Sequence, residues 1–233
     1  MDAIILAGGF GTRLKSVVDG IPKPMAPIGD RPFLEYLLTY IIGQRLISQI
    51  FISTGYKAEV ITDYFGVKYK QLDLKYIVEK KPLGTGGAIL FALRHTKSND
   101  IVVLNGDTFF DVDLNSMYNF HSCNEADLTI AAKPMTNFDR YGTIESINNK
   151  IIGFSEKKIT EKGIINGGIY MIKKEIFIDT QISECFSFES DFLVPNVKNH
   201  KMMSFLSDGY FIDIGIPEDY KKAVKDFNNL KLH

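Results

Sequence analysis

The stretch AIILAGGFGTRL, from Ala3 to Leu14, decides the fold. Its first five residues are continuously apolar, the composition of a strand covered on both faces, as in a parallel sheet flanked by helices. The run breaks at Gly8 and Gly9, and Gly11, Thr12 and Arg13 follow. Ligands of open α/β sheets bind at the carboxyl ends of strands. Glycines at such an end let backbone N–H groups approach a ligand with no side chain in the way. Successive N–H groups form a concavity for an anion, and the Arg13 guanidinium adds a fork of donors suited to phosphate oxygens. The stretch therefore reads as a strand feeding a polyphosphate cradle. The alternative is a tight strand-to-helix turn with a surface arginine. A Walker loop is disfavoured because no Gly-Lys-Ser/Thr closes the segment. The dinucleotide fingerprint is disfavoured because Leu14 stands where its third glycine belongs, and no acid follows at the expected spacing of about 20 residues.

Outward from this stretch, strand-like and helix-like segments alternate. QIFIST (Gln49–Thr54), LKYIVE (Leu74–Glu79) and DIVVLNGD (Asp100–Asp107) read as strands. FLEYLLTYIIGQ from Phe33, KAEVITDYFG ending at Gly66, and GGAILFALRHT (Gly86–Thr96) read as helices. Alternation of this kind predicts parallel pairing with helices on both faces. After about Ala126 the pattern becomes one of short strands: DLTIAAK, YGTIESI, KIIGFSEK and INGGIYMI, with Asn148-Asn149 at a hairpin tip. FESDFLVPNV reads as a helix started by Ser187 or Ser190, YFIDIG as a late strand, and PEDYKKAVKDFNN as a helix opened by Pro217. The expected fold is α/β, a Rossmann-like, mixed but mainly parallel sheet with helices on both faces. One domain is expected over residues 1–233, with a change of character near residue 125 and no linker rich in Pro, Gly or Ser.

Composition narrows the partners. The chain has 233 residues, 27 Lys+Arg against 28 Asp+Glu, and a net charge of −1. Such a balance gives no support to nucleic acid or an anionic membrane as a partner, so phosphate recognition must be local. Cys123 and Cys185 stand far apart and outside any metal-binding spacing, which predicts reduced thiols and a cytoplasmic location. The start MDAIILAGG lacks the basic region of a signal peptide, and no apolar run reaches the length of a membrane span.

Three further features carry chemistry. Lys23 is fenced by Pro22 and Pro24, which stiffen its loop, so its ammonium can be held rather than solvated. Asp107 ends an apolar strand and Asp213 is a lone acid in apolar FIDIG. DVD at Asp111–Asp113 mimics the metal motif of glycosyltransferases, but Asp113 reads as a helix cap. The histidines fall outside every motif.

The motifs LAGGFGTRL, PKPMAPIGDRPFLEY, EKKPLGTGGA, LNGDTF, YGTI, FSEKK, NGGIY and FIDIGIPEDY, in this order over nearly the whole chain, resemble the sugar-1-phosphate nucleotidyltransferase family. The resemblance implies the nucleotide-diphospho-sugar transferase fold, with residues 1–125 as the nucleotide-binding half and 126–233 as the sugar-binding half. It implies joining of a heptose or hexose 1-phosphate to a nucleoside triphosphate with release of pyrophosphate. Alignment and charge neutralisation carry such a reaction. The nucleotide would be held by Leu6, Ala7, Gly8, Gly9, Gly11, Thr12, Arg13, Lys23, Glu79, Pro82, Gly84, Thr85, Asn105 and Gly106. The sugar would meet Gly142, Glu156, Lys157, Asn166 and Gly168. Asp107 and Asp213 would share one Mg²⁺, and Arg13, Lys23, Asp107 and Lys157 would be the catalytic set.

Two departures stand out. Many relatives have proline after the lysine of FSEKK, where this chain has Lys158, so Lys158 competes with Lys157 for the sugar phosphate. Thymidylyl and uridylyl relatives commonly carry glutamine at the position of Glu79. A carboxylate only accepts hydrogen bonds, which suits the two adjacent donors of guanine and points to GTP. Uridylyl, thymidylyl or cytidylyl transfer, a non-catalytic sugar-nucleotide sensor and a glycosyltransferase using DVD remain the competing readings. The assembly state is open, with a homodimer among the options.

Overall fold

The computed structural model describes residues 1–9, 11, 14, 17–18, 20–178 and 183–227. In chain order the strands are β1 (Asp2–Ala7), β2 (Pro27–Ile28), β3 (Arg31–Pro32), β4 (Gln49–Thr54), β5 (Lys68–Tyr69), β6 (Leu72–Val78), β7 (Asp100–Asn105) and β8 (Thr108–Phe110). They continue as β9 (Leu128–Phe138), β10 (Thr143–Ile147), β11 (Lys150–Ser155), β12 (Thr160–Lys173), β13 (Met202–Leu206) and β14 (Phe211–Asp213). The helices are α1 (Phe33–Gly43), α2 (Ala58–Phe65), α3 (Gly84–Leu93), α4 (Leu114–Cys123), α5 (Val194–Asn196) and α6 (Pro217–Phe227).

Ten strands form one sheet in the order β10-β11-β13-β9-β12-β7-β1-β4-β6-β5. The strands β6, β4, β1 and β7 run parallel. The switch comes at β12, antiparallel to both β7 and β9, while β13 lies parallel to β9. The sheet thus crosses residue 125 without a break.

The apolar opening of the chain is explained by where β1 lies. It is hydrogen-bonded on both edges, with Ile4 opposite Phe51 and Val103. It is also covered on both faces, because side chains alternate along a strand. Ala3, Ile5 and Ala7 join one core with residues of α1, α2, α4 and α6. Ile4 joins the other, with Ile89 and Leu93 of α3 and Phe188 and Phe192. A strand buried on all sides has no face to leave polar, so its specificity is carried to its carboxyl end.

Local signals act as expected in several places. Asp113 caps α4, its Oδ1 accepting from the N–H groups of Asn115 (2.9 Å) and Ser116 (3.1 Å). Gly66 ends α2 at φ +63°. Asn148 and Asn149 adopt φ 49° and 64°, the left-handed pair of a tight hairpin turn. The segment from Phe188 differs from the helix expected there. It forms a π-helical turn, Phe188–Leu193, followed by the short α5. Pro195 lacks the N–H that a continuous α-helix would direct at the Asp191 carbonyl, so the backbone changes register before it. Ser187 caps this turn by accepting from Ser190 N–H. Among the described residues, no helix is long and apolar enough to cross a membrane.

Two connections set up the cavity described below. Strands β8 and β14 pair antiparallel, with Asp213 opposite Thr108. The strap before the π-helical turn is sewn to the start of α3. Phe186 N–H donates to Leu83 O (2.9 Å), Gly86 N–H donates to Phe186 O (3.0 Å), and Phe188 N–H donates to Thr85 Oγ1 (2.8 Å). Gly84 sits at φ +70°, and a Cβ there would lie 2.4 Å from the Phe186 carbonyl oxygen. Gly84→Ala is therefore expected to destabilise the fold by roughly 2–4 kcal/mol, from the left-handed backbone and the overlap together. Urea unfolding measures this as a lower midpoint, and an unchanged midpoint refutes the close packing.

Candidate active site

A cavity of about 960 Å³ opens at the carboxyl ends of β1 and β7 and is lined from both halves of the chain. Leu6, Ala7, Gly8, Gly9 and Gly11 form one wall at the end of β1, joined by Lys23. Glu79, Pro82, Gly84 and Thr85 form the next, then Asn105 and Asp107 after β7. From the second half come Gly142, Glu156, Lys157, Asn166, Gly168 and Asp213. Gly106 is expected with them but does not line the cavity. It is buried, its N–H donates to Leu6 O (2.9 Å), and a Cβ on it would lie 2.5 Å from that oxygen, so it braces β7 against β1. Thr12 and Arg13 lie outside the described residues. Lys157 lines the cavity and Lys158 does not.

The two acids are neighbours because their strands are. Asp107 directly precedes β8 and Asp213 ends β14, and Ile214 N–H donates to the Asp107 carbonyl at 3.0 Å. Lys23, tucked into a 3-10 turn behind Pro22, places Nζ 2.7 Å from Asp107 Oδ2 with only 10% of its side chain exposed. Asp213 Oδ1 accepts from Gly215 N–H at 2.7 Å. Burial, and then the charge of Asp107, raise the Asp213 carboxyl to about 6, against the opposing pull of Lys23 and the Gly215 N–H. Two carboxylates forced together with one cation suit Mg²⁺, which takes one or two carboxylates and completes its shell with water and phosphate oxygens. Among the described residues no group of three or more His, Cys, Asp or Glu could hold a metal, which leaves the remaining positions of such a shell to water or substrate.

Glu79 is fixed from three sides. Its backbone N–H donates to Thr54 O at 2.7 Å. Oε1 accepts from the fully buried Ser53 hydroxyl at 3.0 Å, and Oε2 accepts from Leu83 N–H at 3.1 Å. Each oxygen keeps a lone pair for a ligand. A Cβ on Gly8 would come within 2.7 Å of Oε1, so this glycine is the space in which the carboxylate sits.

Several lining residues have no strong sequence signal. Arg140 and Tyr141 directly precede Gly142; Arg140 pairs with Asp219 of α6 and also donates to the Tyr141 hydroxyl at 3.0 Å. Burial, and then Asp213, push the Tyr141 phenol up. Arg140 stands beside the YGTI motif, but its partner is 79 residues away, beyond the reach of any local pattern. Ser187, Glu189 and Ser190 also line the cavity, from a segment whose pattern reads as an ordinary helix.

The acid pair makes a prediction independent of turnover. Millimolar Mg²⁺ is expected to raise the melting temperature of the free protein by a few degrees through linkage. Asp107→Asn and Asp213→Asn should each abolish that rise. Without metal, Asp213→Asn should melt above the native protein, because it removes a like-charge contact. Differential scanning fluorimetry reads all of this, and an undiminished Mg²⁺ shift in both variants rules out the shared site.

Known proteins resemble this chain over nearly its full length. The pattern of a family described as "Nucleotidyl transferase" matches residues 2–229. A D-glycero-alpha-D-manno-heptose 1-phosphate guanylyltransferase of Aneurinibacillus thermoaerophilus is 50% identical, over 98% of this chain and 99% of its own length. One of Campylobacter jejuni subsp. jejuni is 49% identical over 94% and 97%. The crystal structure of HddC from Yersinia pseudotuberculosis complexed with GMP-PN superposes with a TM-score of 0.87 at 39% identity, covering 97% of this chain and 99% of that one.

Proposed function

The chain belongs to the nucleotidyl transferase family, and from that premise we propose that it transfers the guanylyl group of GTP to D-glycero-α-D-manno-heptose 1-phosphate, in the cytoplasm. The products are the GDP-linked sugar and pyrophosphate. The similar guanylyltransferases support the substrate pair. The observation that carries the base is Glu79, an acceptor-only group held by Ser53 and Leu83 with one lone pair free on each oxygen. Guanine presents a ring N–H and an exocyclic amine side by side, so a braced carboxylate can accept from both. Uracil and thymine offer a donor between two acceptors and would set a carbonyl against the carboxylate.

The chemistry asks for placement. A sugar 1-phosphate is largely ionised at neutral pH, since its second pKa is about 6, so no general base is needed. One of its oxygens attacks the α-phosphorus of GTP. A new P–O bond forms there as the bond to the β-phosphate bridging oxygen breaks, and pyrophosphate leaves with the electron pair. The N–H groups of Gly8, Gly9 and Gly11, with Lys23 and Arg13, hold the triphosphate. Lys157 holds the sugar phosphate and Glu156 the sugar, each from the rim of β11. Mg²⁺ between Asp107 and Asp213 would neutralise phosphate charge as a Lewis acid. Gly106 acts from beneath by fixing the distance between the ends of β1 and β7.

Pyrophosphate release from ATP, GTP, CTP and UTP, each with heptose 1-phosphate, tests the reading, and GTP should be preferred. ITP lacks the exocyclic amine and should fall about tenfold or more below GTP in kcat/KM, as expected for loss of a hydrogen bond to a charged group. Glu79→Gln should lower kcat/KM for GTP and remove most of the GTP–ITP difference. A variant that keeps the full difference shows that Glu79 does not read the base.

A further inference from the structure

Hydrogen-bonding capacity is unevenly spread along the wall between Asn166 and the 187–190 strap. Asn166 Oδ1 accepts from Gly168 N–H at 3.0 Å. Because a backbone N–H only donates, this contact decides which way the amide is turned. Both hydrogens of Nδ2 are then spent, one on the Tyr170 hydroxyl at 2.9 Å and one on Glu189 Oε1 at 3.1 Å. Tyr170 is 2% exposed, and burial pushes its phenol far up, so it remains a proton donor. It donates to the same Glu189 Oε1, at 3.3 Å. Oε1 therefore receives two donors. Oε2 of Glu189 receives none among the described residues, although Glu189 is exposed and lines the cavity. The neighbouring hydroxyl of Ser190 is taken up by Asp191 Oδ1 at 2.8 Å.

We propose that Glu189 is a specificity-determining residue of the sugar subsite, its Oε2 accepting from hydroxyl groups of the sugar. Asn166 and Tyr170 are positioning residues that aim it. Asn166, the residue its motif nominates, has no amide hydrogen left with which to serve as the principal reader. The strap that carries Glu189 is anchored to α3 through the Phe188–Thr85 bond, so the carboxylate is presented from a fixed backbone. A carboxylate with one oxygen that has no hydrogen-bond donor among the described residues, set in a polar cavity, selects for donors, and a polyol is rich in them. This assignment rests on the proposed transfer to a sugar 1-phosphate.

Glu189→Gln tests it with little change of shape. The amide oxygen can still accept from Asn166 and Tyr170, while an amide NH₂ replaces Oε2 and turns an acceptor into a donor. The KM for heptose 1-phosphate is expected to rise about tenfold, with the KM for GTP held within about twofold. Tyr170→Phe removes one of the two donors that aim Oε1 and should raise the sugar KM by a smaller factor, about threefold, again sparing GTP. Among monodeoxy sugar 1-phosphates, the one lacking the hydroxyl read by Glu189 should lose affinity for the native enzyme and lose nothing further for Glu189→Gln. An unchanged sugar KM in Glu189→Gln overturns the assignment, and so does an equal rise for GTP. A native protein that turns over no sugar 1-phosphate with GTP overturns instead the transfer reaction on which the assignment rests.

Discussion

Two carboxylates that repel each other are held together by a short antiparallel ladder, and the rest of the site is arranged around that enforced proximity. Asp107 and Asp213 are more than a hundred residues apart in the chain, yet β8 and β14 leave them no freedom to separate. The partial burial of Asp213 sharpens the repulsion, since charges are screened least where water is excluded. Lys23 offsets it at a distance of 2.7 Å from Asp107. A site of this kind stays short of positive charge until a cation or a cationic complex arrives. A divalent ion meets that need and can in turn attract phosphate oxygens, which fits the proposed role of the glycine turn after β1.

The sheet makes the arrangement rigid. β1 lies in the middle of the parallel strands and feeds a separate hydrophobic core on each face. Moving its carboxyl end would disturb both. Gly106 adds a direct tie from the turn after β7 to Leu6 of β1. The glycine turn after β1 and the first of the two acids are thus held at a set separation by backbone hydrogen bonds.

Much of this could be read in the sequence wherever the determining interaction is local. The unbroken apolar run before Gly8 reports a strand without a polar face. The cap at Asp113 and the left-handed pair at Asn148 and Asn149 involve neighbours only. Asp107 or Asp213 alone reads as an ordinary cap or turn acid; the pair is singled out because both end apolar strands within motifs that resemble the family's. The strap from Phe186 to Leu193 was opaque for the opposite reason. Its shape depends on Pro195 shifting the register and on bonds to Leu83, Thr85 and Gly86, a hundred residues earlier. Glu189 looks like an ordinary helical surface acid until Tyr170 and Asn166 are folded against it. Arg140 gains meaning only through Asp219 of α6, far away in the chain.

The stitching of residues 83–87 to residues 184–188 has an evolutionary consequence. The segment beside Glu79 and the segment bearing Glu189 share backbone hydrogen bonds and close contacts at Gly84, Gly86 and Gly87, so they move as one piece. An insertion or a bulky replacement in either is transmitted to the other. With Glu79 proposed to read the base and Glu189 the sugar, the two preferences would not be separately adjustable traits: a lineage that altered one would have to accept, or repair, a change in the other.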